Sequence, residues 1–281
     1  APINRIMLPE DTMDLVKDYF IFKDHGFVEV KGKSKPVSVF LIESKKDLSM
    51  NISTPFIGRE KEMEILSQTY TKQIKETQDN TFNKIHCIGI TAEAGVGKSR
   101  LINEYLKTNK NTCFSLCHAS NISSKPYYLF IRLIKDVFDI SQMDSTKESK
   151  AKFEAGMQSL YKINLDYKKQ LDSAMPFIGF LIGLSYEDDR LKDRQELQNH
   201  LNISIKTLLK AVCKKANLHH LPYILILDDL HWIDKMSAGM LEYILNTFNI
   251  ENKRDKTNFS QILILETYRI EYKITNNLKT E

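Results

Sequence analysis

The residues of this sequence best placed to do chemistry lie in one short run, Ala92-Glu93-Ala94-Gly95-Val96-Gly97-Lys98-Ser99. It follows the apolar stretch 85–90 and precedes Leu101, Ile102 and Leu106, which have helical spacing. A strand that delivers the chain into a turn of small residues leaves backbone N–H groups pointing inward, where they can surround a β-phosphate at the start of a helix. Ala94, Gly95, Val96 and Gly97 would form that cradle. Lys98 would reach the β- and γ-phosphates, and the Ser99 hydroxyl would sit on Mg²⁺. Position 92 holds alanine where such loops begin with glycine. Its methyl group is tolerated as long as φ stays negative there.

A second run, Tyr223-Ile224-Leu225-Ile226-Leu227-Asp228-Asp229, is apolar and ends in two carboxylates. That is the pattern of a strand buried on both faces of a parallel sheet. In such sheets ligands bind beyond the carboxyl ends of the strands, so Asp228 would emerge beside the phosphate loop and hold the Mg²⁺ shell. Asp229 then has two roles open to it: polarising the attacking water, or capping the following turn.

These residues need elements to position them. The sequence predicts a helix from Glu60 to about 76, strand 85–91, helix 98–108, strand 112–118 and helix 127–139. A charged, helix-rich insertion then covers 141–190. A helix over 191–215, strand 222–228, helix 236–248 and strand 261–267 complete the order, with Asp234 capping the helix that begins near Lys235. The expected class is α/β: the three-layer fold of a phosphate-loop NTPase, with a mostly parallel sheet and a helical insertion. Ahead of it, residues 1–45 show a helix-like piece (10–19) and two extended runs (27–30 and 37–42), an α+β segment too small for a core of its own. It is expected to be the tail of a larger domain. Residues 46–54 read as a linker and 55–281 as the NTPase domain.

Composition fits that class and excludes others. The 281 residues are 42% apolar, enough for a substantial core. The net charge is only +4, from 40 basic and 36 acidic residues, with no concentrated basic stripe, so direct nucleic-acid binding is not expected. The longest apolar stretch, 175–184, is too short to span a bilayer, and no secretion signal is expected. The four cysteines Cys87, Cys113, Cys117 and Cys213 lack metal-type spacing. They read as small core residues of a protein in a reducing cytoplasm.

Four motifs in order carry a family resemblance: Phe56-Ile57-Gly58-Arg59-Glu60, Glu93 to Leu101, Asp228-Asp229-Leu230-His231-Trp232-Ile233-Asp234, and Glu266-Thr267-Tyr268-Arg269. Over residues 54–270 the sequence resembles the AAA-type signal-transduction ATPases attached to class III adenylate/guanylate cyclases. Similar domains occur in transcription regulators. Upstream, Gly26 to Lys33 with Pro36 to Phe40 resembles the final strand pair of a class III cyclase catalytic domain, which selects the cyclase-linked type. The resemblance implies ATP and Mg²⁺ as ligands, a cyclase catalytic domain or other protein domains as partners, and the option of oligomers. It implies that Gly58 and Arg59 lie against the adenine, although a helix-start turn with Glu60 at the helix N-terminus fits the same residues. It also implies that Arg269 is a sensor arginine for the γ-phosphate, a position that a solvated edge residue fits equally. Residues 1–45 contain neither paired metal-binding aspartates nor an Asn-x-x-x-Arg element. The sequence ends before the lid and winged-helix regions such ATPases carry, so slow turnover is expected. The alternatives are a nucleotide-binding interaction scaffold without hydrolysis and the ATPase module of a transcription regulator.

Overall fold

The computed structural model describes residues 6–17, 20–30, 32–33, 35–45, 55–79, 85–109, 112–120, 125–163, 165–254 and 261–270. The expected linker 46–54 lies outside them. The chain divides into two compact units, one comprising residues up to Ile57 with Ser141–Ser145, the other Gly58–Ile140 with the chain from Thr146 onward.

The first unit is a three-stranded antiparallel sheet in the order β1-β3-β2, formed by β1 (Met7–Pro9), β2 (Phe20–Val28) and β3 (Val37–Lys45), with helix α1 (Glu10–Val16) between β1 and β2. Two sequence expectations change here. The helix ends at Val16 rather than residue 19, and β2 begins at Phe20 rather than 27. For the strand the cause is a bulge: Gly26 takes φ 80°, its N–H donates to Asp24 Oδ1 at 2.8 Å, and the β2–β3 register shifts between Asp24 and Phe27. Asp24-His25-Gly26 thus bends a continuous strand. Val39 and Ile42 are buried side chains of β3.

The second unit is built on a four-stranded parallel sheet in the order β4-β7-β6-β5, formed by β4 (His86–Thr91), β5 (Cys113–His118), β6 (Tyr223–Asp228) and β7 (Ile262–Tyr268). The phosphate-loop strand β4 and the acidic strand β6 are therefore not neighbours, because β7 runs between them. Successive side chains of a strand point to opposite faces, so each strand divides its residues between two layers. On one face Cys117, Tyr223, Leu225, Leu227, Ile262 and Ile264 join the main core with α4 (Tyr128–Val137), α5 (Thr146–Ile163), α6 (Lys168–Leu181), α7 (Leu197–Asn217) and α8 (Lys235–Arg254). The other face carries the equally buried Ile224, Ile226, Leu263 and Leu265, together with Asp228. There α2 (Glu60–Gln78) and α3 (Lys98–Thr108) pack through Leu66, Tyr70, Leu101, Ile102 and Tyr105.

The helix expected over 191–215 splits. A 3-10 turn occupies Asp189–Lys192, and α7 starts only at Leu197. Asp188 accepts the Arg190 N–H at 3.0 Å and Asp193 accepts the Gln195 N–H at 3.0 Å, each closing a local turn that competes with continuous helix. The four cysteines are free thiols, Cys117 and Cys213 buried, Cys87 and Cys113 half-buried. Among the described residues no helix is long and apolar enough to cross a membrane.

Candidate nucleotide-binding site

The loop that follows β4 has the backbone its residue types require. Gly95 and Gly97 take φ 79° and 95°, left-handed values that a side chain would strain. Ala92 is not among the residues with positive φ, so its methyl group costs no strain. The α3 N-cap is Gly97, which has no side chain to occupy the first N–H groups of the helix. Those donors and the positive end of the helix dipole face the loop. Lys98 Nζ donates to the carbonyls of Ala92 and Glu93, each at 2.9 Å, so its ammonium is held against the loop's own backbone.

Ser99, one residue into α3, reaches the end of β6. Its hydroxyl donates to the Asp228 carboxylate, at 2.9 Å from Oδ2 and 3.2 Å from Oδ1. Thr267 Oγ1 donates to Asp228 Oδ1 at 2.5 Å and accepts the Asp229 N–H at 2.9 Å. His118, at the end of β5, places Nδ1 3.0 Å from Asp228 Oδ2. Asp228 is 2% exposed, and burial by itself pushes its carboxyl up. The hydrogen bonds from His118, Thr267 and Ser99 outweigh that and hold it below the usual aspartate range, so it is a carboxylate at neutral pH. Asp229 differs in every respect. It sits at φ 57°, its side chain makes no cap bond to the following turn, and it is 48% exposed. The capping role left open by the sequence is thus not the one its side chain performs.

Beside the loop lies a cavity of about 280 Å³, lined by Arg59, Glu62, Leu66, Ile90, Val96 and Leu101 among others. Its lining is mostly apolar, with Lys98 of the loop and the charged pair of Arg59 and Glu62. Arg59 Nη1 donates to Glu62 Oε1 at 2.7 Å, and Nη2 reaches the Val96 carbonyl at 3.4 Å, so one guanidinium spans the start of α2 and the tip of the phosphate loop. That hydrogen bond lowers the Glu62 carboxyl from its ordinary value. Gly58 and Arg59 adopt φ 75° and 70°, a left-handed pair that turns the chain into α2. Arg59 lines the cavity, whereas Gly58 is not among its lining residues.

Residues 55–253 match the AAA ATPase domain family. The chain belongs to that family. It is also 22% identical over 252 residues to an uncharacterized protein of Rhizobium meliloti (strain 1021), an alignment covering 85% of this chain and 22% of that protein. The chain thus spans less than a quarter of the length of that relative.

Beyond the matched residues, Arg269 lies just past β7, exposed, with its guanidinium 5.7 Å from the Trp232 ring centre. Trp232 is 40% exposed and lies 5.1 Å from the His231 ring. Burial lowers the His231 pKa, and Asp229 Oδ1 stands 4.0 Å from its Nδ1. Asp234 does more than the expected capping of α8. Its carboxylate accepts the Ser237 N–H at 2.9 Å, and also the Tyr127 and Tyr128 N–H groups at 3.0 and 3.2 Å at the start of α4. Sequence reasoning missed two members of the site, His118 and Thr267. Both are supplied by strands flanking β6, and only the register His118↔Asp228 and the order β5-β6-β7 bring them in.

Proposed function

We propose that this AAA ATPase domain binds Mg²⁺-ATP between the loop at residues 92–99 and the end of β6, and hydrolyses it slowly as the regulatory module of a larger signalling protein. The observation that carries the reading is the Ser99–Asp228–Thr267 cluster directly behind the phosphate loop. Ser99 gives its only hydrogen to Asp228, which leaves its oxygen lone pairs available to a cation. A buried carboxylate and a hydroxyl are hard oxygen donors of the kind Mg²⁺ takes, with phosphates completing the shell. Among the described residues no three His, Cys, Asp or Glu form a cage of their own, and a metal that arrives with its nucleotide needs none. When bound, Mg²⁺ would neutralise phosphate charge.

The chain's own groups divide the remaining work. Loop N–H groups and Lys98 hold phosphate oxygens, and the cavity beside Arg59 takes the base. Asp229, exposed and uncommitted to a cap, orients and deprotonates water. Arg269 is close enough in sequence to the sheet end to stabilise charge on the terminal phosphate once it leaves the Trp232 ring. The antiparallel β2–β3 pair supports reading residues 1–45 as the end of a class III cyclase catalytic domain, with the cyclase as the domain being regulated. Residues upstream in the gene test that part directly.

Single-turnover phosphate release from radiolabelled ATP tests the division of labour. Asp229→Asn should keep Mg²⁺-ATP affinity nearly intact and slow release by about 10² to 10⁴. Asp228→Asn should impair the Mg²⁺-dependent part of binding as well. Unaltered release in both variants would remove the assigned roles, and tight binding without release in the unmutated chain would leave a nucleotide-binding scaffold.

A further inference from the structure

Among the described residues His118 is, with Thr267, one of two donors to Asp228 that neither the phosphate loop nor the acidic strand accounts for. It ends β5, in register with Asp228 across a parallel ladder, and the following residue fixes the pair further: the Ala119 N–H donates to the Asp228 carbonyl at 2.9 Å. Because an ionised carboxylate has no proton to give, the hydrogen in the 3.0 Å contact belongs to His118 Nδ1, whatever Nε2 carries. The Asp228 carboxylate therefore has one oxygen shared by Thr267 and Ser99 and the other shared by Ser99 and His118. Rotation of an aspartate carboxyl about its last bond is soft and roughly two-fold. Donors on both oxygens are what hold it in one plane. Without His118, Oδ2 keeps among the described residues the Ser99 hydroxyl alone, the group that the reading above gives to the cation.

We propose that His118 is a positioning residue for the metal-nucleotide complex: its Nδ1–H fixes the plane of the Asp228 carboxylate, so that Asp228 and Ser99 meet Mg²⁺ preorganised. The inference rests on the nucleotide-site reading and adds to it a residue outside the motifs that define the site. Groups that orient a metal ligand from behind are worth about 10- to 100-fold in metal affinity. The effect belongs to metal-dependent binding alone, because His118 neither lines the base cavity nor belongs to the phosphate loop.

The test is calorimetric titration of ATP into the full chain, in EDTA and across a Mg²⁺ series. His118→Ala should raise the Mg²⁺ concentration for half-maximal enhancement of ATP affinity at least about tenfold, with affinity in EDTA unchanged. His118→Asn, whose side-chain N–H can stand where Nδ1–H stood, should recover most of the loss. A Mg²⁺ requirement within about twofold of the unmutated chain would overturn the proposal, as would equal losses with and without metal. Equal impairment of the Ala and Asn variants would overturn it too, since the hydrogen bond would then not be what matters. Failure of the unmutated chain to bind ATP would defeat the nucleotide reading itself. Normal ATP binding that Lys98→Ala weakens and His118→Ala leaves alone would defeat only this inference.

Discussion

Lys98, Ser99 and Asp228 could be placed from the sequence because each belongs to a run whose local pattern states its backbone: small residues between a strand and a helix, or acid at the end of an apolar strand. His118 and Thr267 could not, because their roles depend on which strands become neighbours, and nothing within either run fixes that. The same contacts make a prediction about acid. Burial raises and three hydrogen bonds lower the Asp228 carboxyl, with a net depression below the ordinary value of about 3.9. A depressed carboxylate adds stability that is fully present above the unfolded-state value and is lost as pH falls through the folded-state value. Melting temperatures of the unmutated chain and Asp228→Asn should therefore differ by a constant amount from neutral pH down to about pH 4, and converge only below it. Convergence beginning near pH 6 would mean that Asp228 is not held in this way.

At the scale of elements, the strand and helix order of the second unit was legible because buried parallel strands are continuous apolar runs and the helices between them show clear spacing. The failures fall where a short polar side chain captures a nearby N–H, as Asp188 and Asp193 do ahead of α7 and Asp24 does within β2. Asp234 shows the limit in another form: its cap on α8 is local and readable, whereas its hold on the start of α4 spans more than a hundred residues. One carboxylate thus fastens two helix N-termini beside the loop that carries Asp229. Asp234→Ala leaves the Tyr127, Tyr128 and Ser237 N–H groups without that acceptor, and should cost about 2 kcal/mol or more in urea unfolding, beyond a single cap's typical contribution. A loss under about 0.5 kcal/mol would show that solvent replaces the clasp.

For the whole molecule, the class and the division of labour between sheet faces follow from alternation along the strands, while the strand order β4-β7-β6-β5 required the fold. That order matters for function. Placing β7 between the phosphate-loop strand and the acidic strand puts Thr267 against Asp228 and Asp229, and Arg269 beyond them, on one rim. The cavity, the loop and the acidic cluster then line up in the order that the proposed base, phosphate and metal sites require. Whether they act as one site is measured most directly by calorimetric titration of Mg²⁺-ATP into the unmutated chain and into Lys98→Ala. Loss of the ammonium that the loop holds should weaken binding at least about tenfold, roughly 1.4 kcal/mol, without unfolding the chain. Equal affinity in the two proteins, or no ATP binding by the folded unmutated chain, would contradict the account.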